Sequence, residues 1–311
     1  MNAGKVSNKG IELTLHAVPV RVADFTWNVD INWSRNWNKL VSLEDSWDPT
    51  AAFIQNAGTG GSYCSIRSYL GEEMYWIYGK GYKRAPEGST YVDANGNVVD
   101  CSGMKIIDPQ SGVPFLDNTA DTRIAKVNPT WKGGMTHNFR YRDFTLSMSF
   151  AAQMGGHAYS NTAAVLTHLG KTANTLEGRY DGLLVEGVVA TENADGTITY
   201  TPNTTPVANI MNYYQLGTGR DNAEEHTYKT DFFKLAELRL EYSLPTRLCR
   251  KTKVLQGASL AFYATNLFCL TSFPQFDPEA GTLYGNNIVK GAEMGALPMT
   301  RTFGVNLKLS F

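Results

Sequence analysis

Strict alternation of apolar and polar residues is the feature that most limits how this chain can fold. One stretch carries apolar side chains at every second position, namely Phe25, Trp27, Val29, Ile31 and Trp33. Two later stretches do the same, with Phe144, Leu146, Met148 and Phe150 in one and Phe303, Val305, Leu307 and Leu309 in the other. A period of two places successive side chains on opposite faces of a β-strand. Each stretch therefore predicts a strand with one apolar face.

The length of these strands favours a membrane barrel over a soluble sheet. The pattern predicts about nine strands, at residues 11–21, 25–34, 65–71, 74–82, 132–141, 144–154, 232–244, 257–266 and 300–311. Most are longer than the 5–6 residues at which soluble strands cluster, and they match the ~9–11 residues of a tilted membrane-spanning strand. We therefore predict an all-β fold, an antiparallel transmembrane β-barrel. The alternating apolar residues named above are predicted to face lipid.

The predicted connections alternate between short and long. The short connections are residues 22–24, 72–73, 142–143 and 245–256, and the long ones are 35–64, 83–130, 155–231 and 267–299. Outer-membrane barrels have short periplasmic turns and long extracellular loops. The alternation therefore predicts the side of the membrane on which each connection lies.

An odd number of strands does not close a bacterial single-chain barrel. An open sheet edge in lipid would also leave backbone N–H and C=O groups unsatisfied, at several kcal/mol each. The first residues lack the charged, apolar and small-residue segments of a secretory leader. We therefore expect further strands upstream of residue 1, although one overlooked strand within the chain would also restore an even number.

Composition and motifs exclude several classes of function. The 311 residues carry a net charge of −1, which gives no electrostatic support for nucleic-acid binding. The five histidines lack metal-ligand spacing, and the chain has no G-x-S-x-G, H-E-x-x-H or Walker motif. We therefore expect no enzyme activity, no metal and no cofactor. Cys64 and Cys101 fall in predicted exposed loops, where a disulfide remains an alternative to two incidental thiols.

Several motifs resemble one known family along essentially the whole chain. They include the opening Asn2-x-Gly4-x-x-x-Asn8-x-Gly10-Ile11-Glu12-Leu13, Pro129-x-Trp131 before Gly133-Gly134, Phe233 to Pro245, Asn266-Leu267, Asp277-Pro278-Glu279 and Pro298-x-x-Arg301-Thr302. The chain resembles the C-terminal β-barrel region of the SusC/RagA family of TonB-linked outer-membrane receptors. Ala236 and Thr265 depart from the family, which commonly has a basic residue at these positions.

The resemblance implies a larger molecule. Receptors of this kind look like ~22-stranded barrels, closed by an N-terminal plug domain, of which this chain would supply the C-terminal portion. They pair with a SusD-like surface lipoprotein to capture an oligosaccharide or peptide ligand, and TonB drives import through the N-terminal region. The resemblance also implies the outer membrane of a Gram-negative bacterium. Phe311, after alternating apolar residues, looks like the signal that the barrel-assembly machinery reads.

Tyrosines in the longest loop are the candidate ligand contacts. Tyr213 and Tyr214 are predicted to lie near the ligand path, because tyrosine presents an apolar ring together with a hydroxyl group. The alternative is that the aromatic residues of this loop stabilise its fold or contact the lipoprotein. Arg247, Arg250, Lys251 and Lys253 form a basic cluster in the longest short-side turn, predicted to be solvated at the membrane surface. Glu224 and Glu225 are predicted to be charged surface residues.

Two other functional classes stay open at this point. The chain could be a secreted, β-rich glycan-binding module, which would be soluble without detergent. It could also belong to a passive outer-membrane porin, which would lack both the plug domain and the TonB-binding segment.

Overall fold

The structure, a computed structural model, describes residues 4–43, 53–58, 64–119, 121–274, 277–279, 282–284 and 287–311. Just over half of the described residues lie in β-strands, and every long strand pairing among them is antiparallel. No helix in these ranges is both long and apolar enough to cross a membrane.

A seven-stranded antiparallel sheet forms the main wall of the molecule. Its strands are β1 (Gly4–Val22), β2 (Phe25–Leu43), β9 (Trp131–Tyr141), β10 (Phe144–Met154), β15 (Phe232–Ser243), β16 (Gly257–Thr271) and β20 (Thr302–Ser310). They lie side by side in chain order, with β1 and β20 at the two edges. We call this sheet the wall. Its short connections, such as Ala23–Asp24 and Arg142–Asp143, lie at one end, and its long connections lie at the other.

The predicted count of nine wall strands is wrong, because the third and fourth predicted strands lie elsewhere. Residues 65–71 and 74–82 contribute instead to a separate four-stranded sheet, whose strands are in order β3 (Phe53–Gly58), β4 (Cys64–Tyr69), β5 (Trp76–Gly79) and β8 (Thr122–Lys126). In β4 the alternating residues Cys64, Ile66 and Ser68 are fully buried, since their face packs into the core formed by the long loops. The alternating pattern predicted a strand here correctly, but protein rather than lipid covers the apolar face of that strand. Both strands and their turn at 72–73 belong to one long connection, so the short–long order of the wall is preserved.

The long connections fold into a second body, which we call the loop domain. It comprises the described parts of residues 53–130, 155–231 and 272–299. Its strands are β3 (Phe53–Gly58), β4 (Cys64–Tyr69), β5 (Trp76–Gly79), β6 (Thr90–Val92), β7 (Val98–Asp100), β8 (Thr122–Lys126), β11 (His157–Ser160), β12 (Val188–Glu192), β13 (Ile198–Pro202), β14 (Thr227–Lys229), β17 (Thr282–Tyr284), β18 (Asn287–Val289) and β19 (Ala292–Glu293).

Helices are short throughout. The α-helices are α1 (Asn161–His168), α2 (Ile210–Asn212) and α3 (Thr246–Cys249), with 3₁₀ turns at Ala173–Leu176 and Arg250–Thr252 and a π turn at Tyr213–Gly217. The N-cap of α1 is Ser160, whose side chain accepts a hydrogen bond from the Ala163 N–H at 3.1 Å. This satisfies one of the N–H groups that a helix start leaves free.

The fully buried core belongs mostly to the loop domain rather than to the wall. One cluster joins residues of the first two loops, with Ile66, Ile77, Val127, Tyr159 and Ala223 among its members. Two further clusters centre on Val188 and Ile107. Cys64 and Cys101 are buried in different clusters, so they do not form with each other the disulfide that the sequence left open. Packing between loops distant in sequence therefore gives the loop domain a core of its own.

Candidate functional site

The strand register sorts the side chains of the wall into two faces. Residues that are directly paired across antiparallel strands lie on the same face. One row across the wall is Trp27, Phe139, Leu146, Leu240, Phe262 and Val305. The neighbouring rows carry the other predicted lipid-facing residues, from Phe25 to Trp33 and from Phe144 to Leu309, on this same face. The wall thus has one continuous apolar face, and its contact with lipid stays a prediction.

The opposite face is polar and internally hydrogen-bonded. One of its rows is Asp30, Thr136, Ser149, Glu237, Thr265 and Thr302. Thr136 and Ser149 share a hydroxyl hydrogen bond of 3.1 Å, and Ser147 donates to Asn138 at 2.7 Å. Arg239 pairs with Glu241 at 2.7 Å. Such a face suits a water-filled interior, because its polar groups pair with one another while keeping free hydrogen-bonding capacity.

A cleft of about 410 Å³ opens where the polar face meets the loop domain. We call it the mouth cleft. Its wall side is formed by polar-face residues of three neighbouring strands, namely Ser34, Asn36 and Asn38 of β2, Lys132 of β9 and Gln153 of β10. Its loop side is formed by Asn128, His157, Thr230, Glu279 and Lys290, among others. The cleft lies at the entrance to the polar face, so anything moving along that face from the loop side would pass it.

The mouth cleft is held in shape by hydrogen bonds between its two sides. Gln153 is buried and donates from Nε2 to both the carbonyl and the hydroxyl oxygen of Thr230, each at 3.0 Å. Asn128 donates to Asn38 Oδ1 at 3.4 Å. Lys234, buried on the polar face, pairs with Glu279 of the cleft. Asn36 and Lys132 stay exposed, which leaves amide and ammonium groups available to a polar ligand.

The sequence pattern missed the cleft residues of β2 for a physical reason. The alternation on the polar face continues through Ser34, Asn36 and Asn38, but the opposite face changes from apolar to mixed residues at Arg35. β2 in fact continues to Leu43, nine residues beyond its predicted end. The polar half of the alternation alone would have signalled the extension.

The two predicted ligand contacts, Tyr213 and Tyr214, are adjacent and packed into the loop domain. Their rings meet edge to face with centroids 5.0 Å apart. Tyr214 is buried and its hydroxyl donates to the Asn174 carbonyl at 2.7 Å. Burial raises the pKa of Tyr213 to about 12, with the Glu225 carboxylate adding to the shift. The structure does not bring either residue to the mouth cleft, and their contact with a ligand stays a prediction.

Tyr214 lines a second cleft on the loop domain, of about 520 Å³. Tyr180 also lines it and is 95% exposed, while the apolar residues Leu169 and Met211 are exposed beside it. These exposed side chains give the second cleft an apolar surface. Tyr180 is one of the tyrosines of the longest loop, and the sequence pattern did not single it out.

Glu224 and Glu225 form hydrogen bonds and an ion pair within the loop domain, so they are not the charged surface residues that the sequence predicted. Glu224 accepts from the Tyr82 N–H at 2.9 Å and pairs with Arg84 at 2.5 Å. Glu225 accepts from the Tyr82 hydroxyl at 2.7 Å. Burial, followed by the charge of Glu225, raises the pKa of the Tyr82 phenol well above its usual value. Both acids thus connect two of the long loops. Among the described residues, no group of three or more His, Cys, Asp or Glu side chains could hold a metal ion.

Comparison with known proteins gives a consistent result along the whole chain. No protein-family model matches it. TonB-dependent receptor P3 of Formosa agariphila is 28% identical over 325 aligned positions, and TonB-dependent receptor SusC of Bacteroides thetaiotaomicron is 23% identical over 320. Both alignments cover 100% of this chain but only 29% and 27% of the relative's length. The chain therefore spans less than a third of the receptors that it matches.

Solved structures show the same fold. The RagAB peptide importer in its closed-closed state superposes with a TM-score of 0.66 at 20% identity, covering 100% of this chain and 30% of the matched chain. A second structure, of the RagAB peptide transporter, gives the same TM-score at 19% identity.

Proposed function

Because the chain is SusC/RagA-like along its whole length, we propose that it forms part of a TonB-dependent outer-membrane transporter. In this proposal the wall is a segment of a transmembrane barrel, its apolar face contacts lipid, and its polar face lines the interior. The loop domain lies on the extracellular side. The observation that carries the proposal is the continuous apolar face opposite a continuous polar face, across seven strands whose long connections all lie at one end.

The mouth cleft is the proposed ligand-contact site of this segment. It offers exposed amide and ammonium groups at the entrance to the polar face. Such groups bind the hydroxyl groups of an oligosaccharide or the backbone carbonyls of a peptide equally well. We therefore propose an oligosaccharide or peptide ligand, imported with a SusD-like lipoprotein that covers the loop domain and with TonB acting through the rest of the receptor.

Fractionation of the native protein tests the proposal. We expect it in the outer-membrane fraction of a Gram-negative cell, and we expect slower gel migration after boiling than before, as folded barrels resist detergent. Dissipating the proton gradient should abolish ligand uptake without changing membrane insertion. Recovery in the soluble fraction without detergent would contradict the proposal and favour a secreted binding module. Uptake that survives loss of the gradient would favour a porin.

A further inference from the structure

The basic turn, residues 245–256 between β15 and β16, carries four cations and no acid. The cations are Arg247, Arg250, Lys251 and Lys253, and all four are exposed. None of them takes part in the ion pairs of the described residues. Four positive charges within seven residues repel each other, and no acid of the turn offsets this repulsion. Binding of an external anion would therefore favour the ordered turn.

The basic turn has a defined shape rather than an open, flexible one. Cys249 is fully buried, and the Leu248 N–H donates to the Pro245 carbonyl at 2.7 Å. The Thr252 hydroxyl accepts from the Leu255 N–H at 2.9 Å, and the Gln256 N–H donates to Ser310 of β20 at 2.8 Å. The cations are thus presented from a compact scaffold attached to the wall.

The position of the turn relative to the wall indicates the level at which it meets the membrane. An aromatic row, Phe25, Tyr141, Phe144 and Tyr242, crosses four wall strands at the end with the short connections. Aromatic residues in such rows mark the boundary between hydrocarbon and headgroups. The basic turn begins three residues after Tyr242, which places it at headgroup level or just beyond. The turn also exposes two apolar residues, Leu248 at 43% and Val254 at 63%.

We infer that the basic turn binds the phosphate headgroups of anionic phospholipids in the periplasmic leaflet. Arginine matches phosphate in a two-pronged geometry, and basic clusters beside a membrane are attracted to anionic lipid. The exposed apolar residues fit insertion beside acyl chains, which a soluble periplasmic partner would not require. Lipopolysaccharide phosphates are not the ligand, because the turn lies at the end opposite the loop domain.

This inference rests on the proposed function, since it needs the wall to span the membrane. The test uses the full-length receptor in lipid nanodiscs that contain phosphatidylglycerol and phosphatidylcholine. Native mass spectrometry then counts the lipids of each kind that stay bound on release. Because each cation near an anionic surface strengthens attraction about fivefold, we expect at least a tenfold preference for phosphatidylglycerol.

Substitution should remove this preference without preventing insertion. In the variant Arg247→Gln/Arg250→Gln/Lys251→Gln/Lys253→Gln, the numbers of the two lipids that stay bound should differ by no more than about twofold. A matched variant of four exposed cations at the other end, Lys83→Gln/Lys171→Gln/Lys229→Gln/Arg301→Gln, should keep the wild-type preference. Arg247→Lys/Arg250→Lys, which keeps the charge, should keep most of it. High salt should weaken the wild-type preference, because ions screen exposed charges.

The outcomes separate the two claims. A wild-type receptor that inserts but shows no preference for phosphatidylglycerol overturns the inference and leaves the proposed function standing. A basic-turn variant that inserts and keeps the full preference also overturns the inference. A wild-type preference that high salt does not change overturns it as well. A wild-type receptor that does not insert into nanodiscs at all overturns both the inference and the proposed function.

Discussion

Glu293 shows how a single buried charge can fasten the loop domain. Its Oε2 accepts from the Ser160 hydroxyl at 2.6 Å, and its Oε1 accepts from the Thr162 hydroxyl at 2.7 Å and from the Ala296 N–H at 2.9 Å. The Gly295 N–H donates to Oε1 as well, at 2.5 Å. One carboxylate therefore joins the start of α1 to a loop more than a hundred residues later in the chain.

The Glu293→Gln variant should loosen this junction. An amide NH₂ would face hydrogen-bond donors in place of one oxygen, which leaves donors unsatisfied and removes charge-assisted bonds. We expect a loss of about 2–3 kcal/mol in local stability, measured by hydrogen exchange of residues 158–168. Glu87→Gln, at an exposed position, is the matched control. Equal exchange rates in the two variants would contradict this role.

The same carboxylate makes the loop domain sensitive to acid. Burial acts to raise the pKa of Glu293, but the hydrogen bonds from Ser160, Thr162, Ala296 and Gly295 outweigh it and lower the pKa below its ordinary 4.5. A lowered pKa contributes stability that is present above the unfolded value and is lost as pH falls through the folded value. Protection of residues 158–168 should therefore decrease below about pH 4.5, with a smaller decrease in Glu293→Gln.

Asn36 and Lys132 are the residues through which the mouth cleft is proposed to contact a ligand. Both are exposed, so Asn36→Ala/Lys132→Ala should cost little stability. Loss of two hydrogen-bonding groups should reduce uptake of the native ligand about tenfold in transport assays with whole cells. Asn95→Ala/Lys83→Ala removes the same side-chain types from the outer surface of the loop domain and should not change uptake. Unchanged uptake in the cleft variant would remove the mouth cleft from the ligand path.

At the scale of elements, the upper part of β2 fixes the loop domain to the wall. Pairing between β2 and β9 ends at Ser34, and further up β2 pairs with the turn between β4 and β5. The Leu40 N–H donates to the Glu72 carbonyl at 3.1 Å, and the Gly71 N–H donates to the Leu40 carbonyl at 2.8 Å. Glu73 pairs with Lys126 of β8 at 2.5 Å, which extends the junction. β2 is thus a strand of the wall that also pairs with the loop domain.

Leu40→Ala should weaken this junction. Leu40 is fully buried, so its truncation removes packing and leaves a cavity, at a cost of about 2–5 kcal/mol. We expect faster hydrogen exchange in β4 and β5 and faster proteolysis of the loop domain. Val41→Ala is the control, since the neighbouring side chain is 41% exposed and points to the other face. Identical proteolysis of the two variants would show that the junction does not hold the loop domain.

The alternation of apolar and polar residues predicted the wall well, because each wall strand has an apolar face opposite a polar face. The approximate positions of the seven wall strands and of their short turns follow from alternation and connection length. β4 and β5 were misplaced because alternation does not say whether lipid or protein covers an apolar face. The mouth cleft was missed because its two sides come from segments as distant in sequence as Ser34 and Gly291, which only packing of the loop domain brings together.

At the scale of the whole molecule, the wall and the loop domain differ in how they distribute apolar and polar side chains. The wall is thin, exposes its apolar face and carries most of its polar groups on the other, whereas the loop domain has the closed core of a soluble protein. The mouth cleft lies where they meet, and the basic turn lies at the opposite end. In the proposed function, this arrangement runs along one axis from ligand entry, through a polar lining, to the periplasmic surface.

The orientation of the wall is tested most directly by spin labels placed one at a time along β20 of the full-length receptor in lipid bilayers. We expect labels at Val305, Leu307 and Leu309 to be reached by oxygen dissolved in lipid, and labels at Asn306 and Lys308 to be reached by a water-soluble nickel complex. Accessibility should therefore alternate with a period of two. Uniform access of the nickel complex to all five positions would contradict the account of the chain as a transmembrane barrel wall.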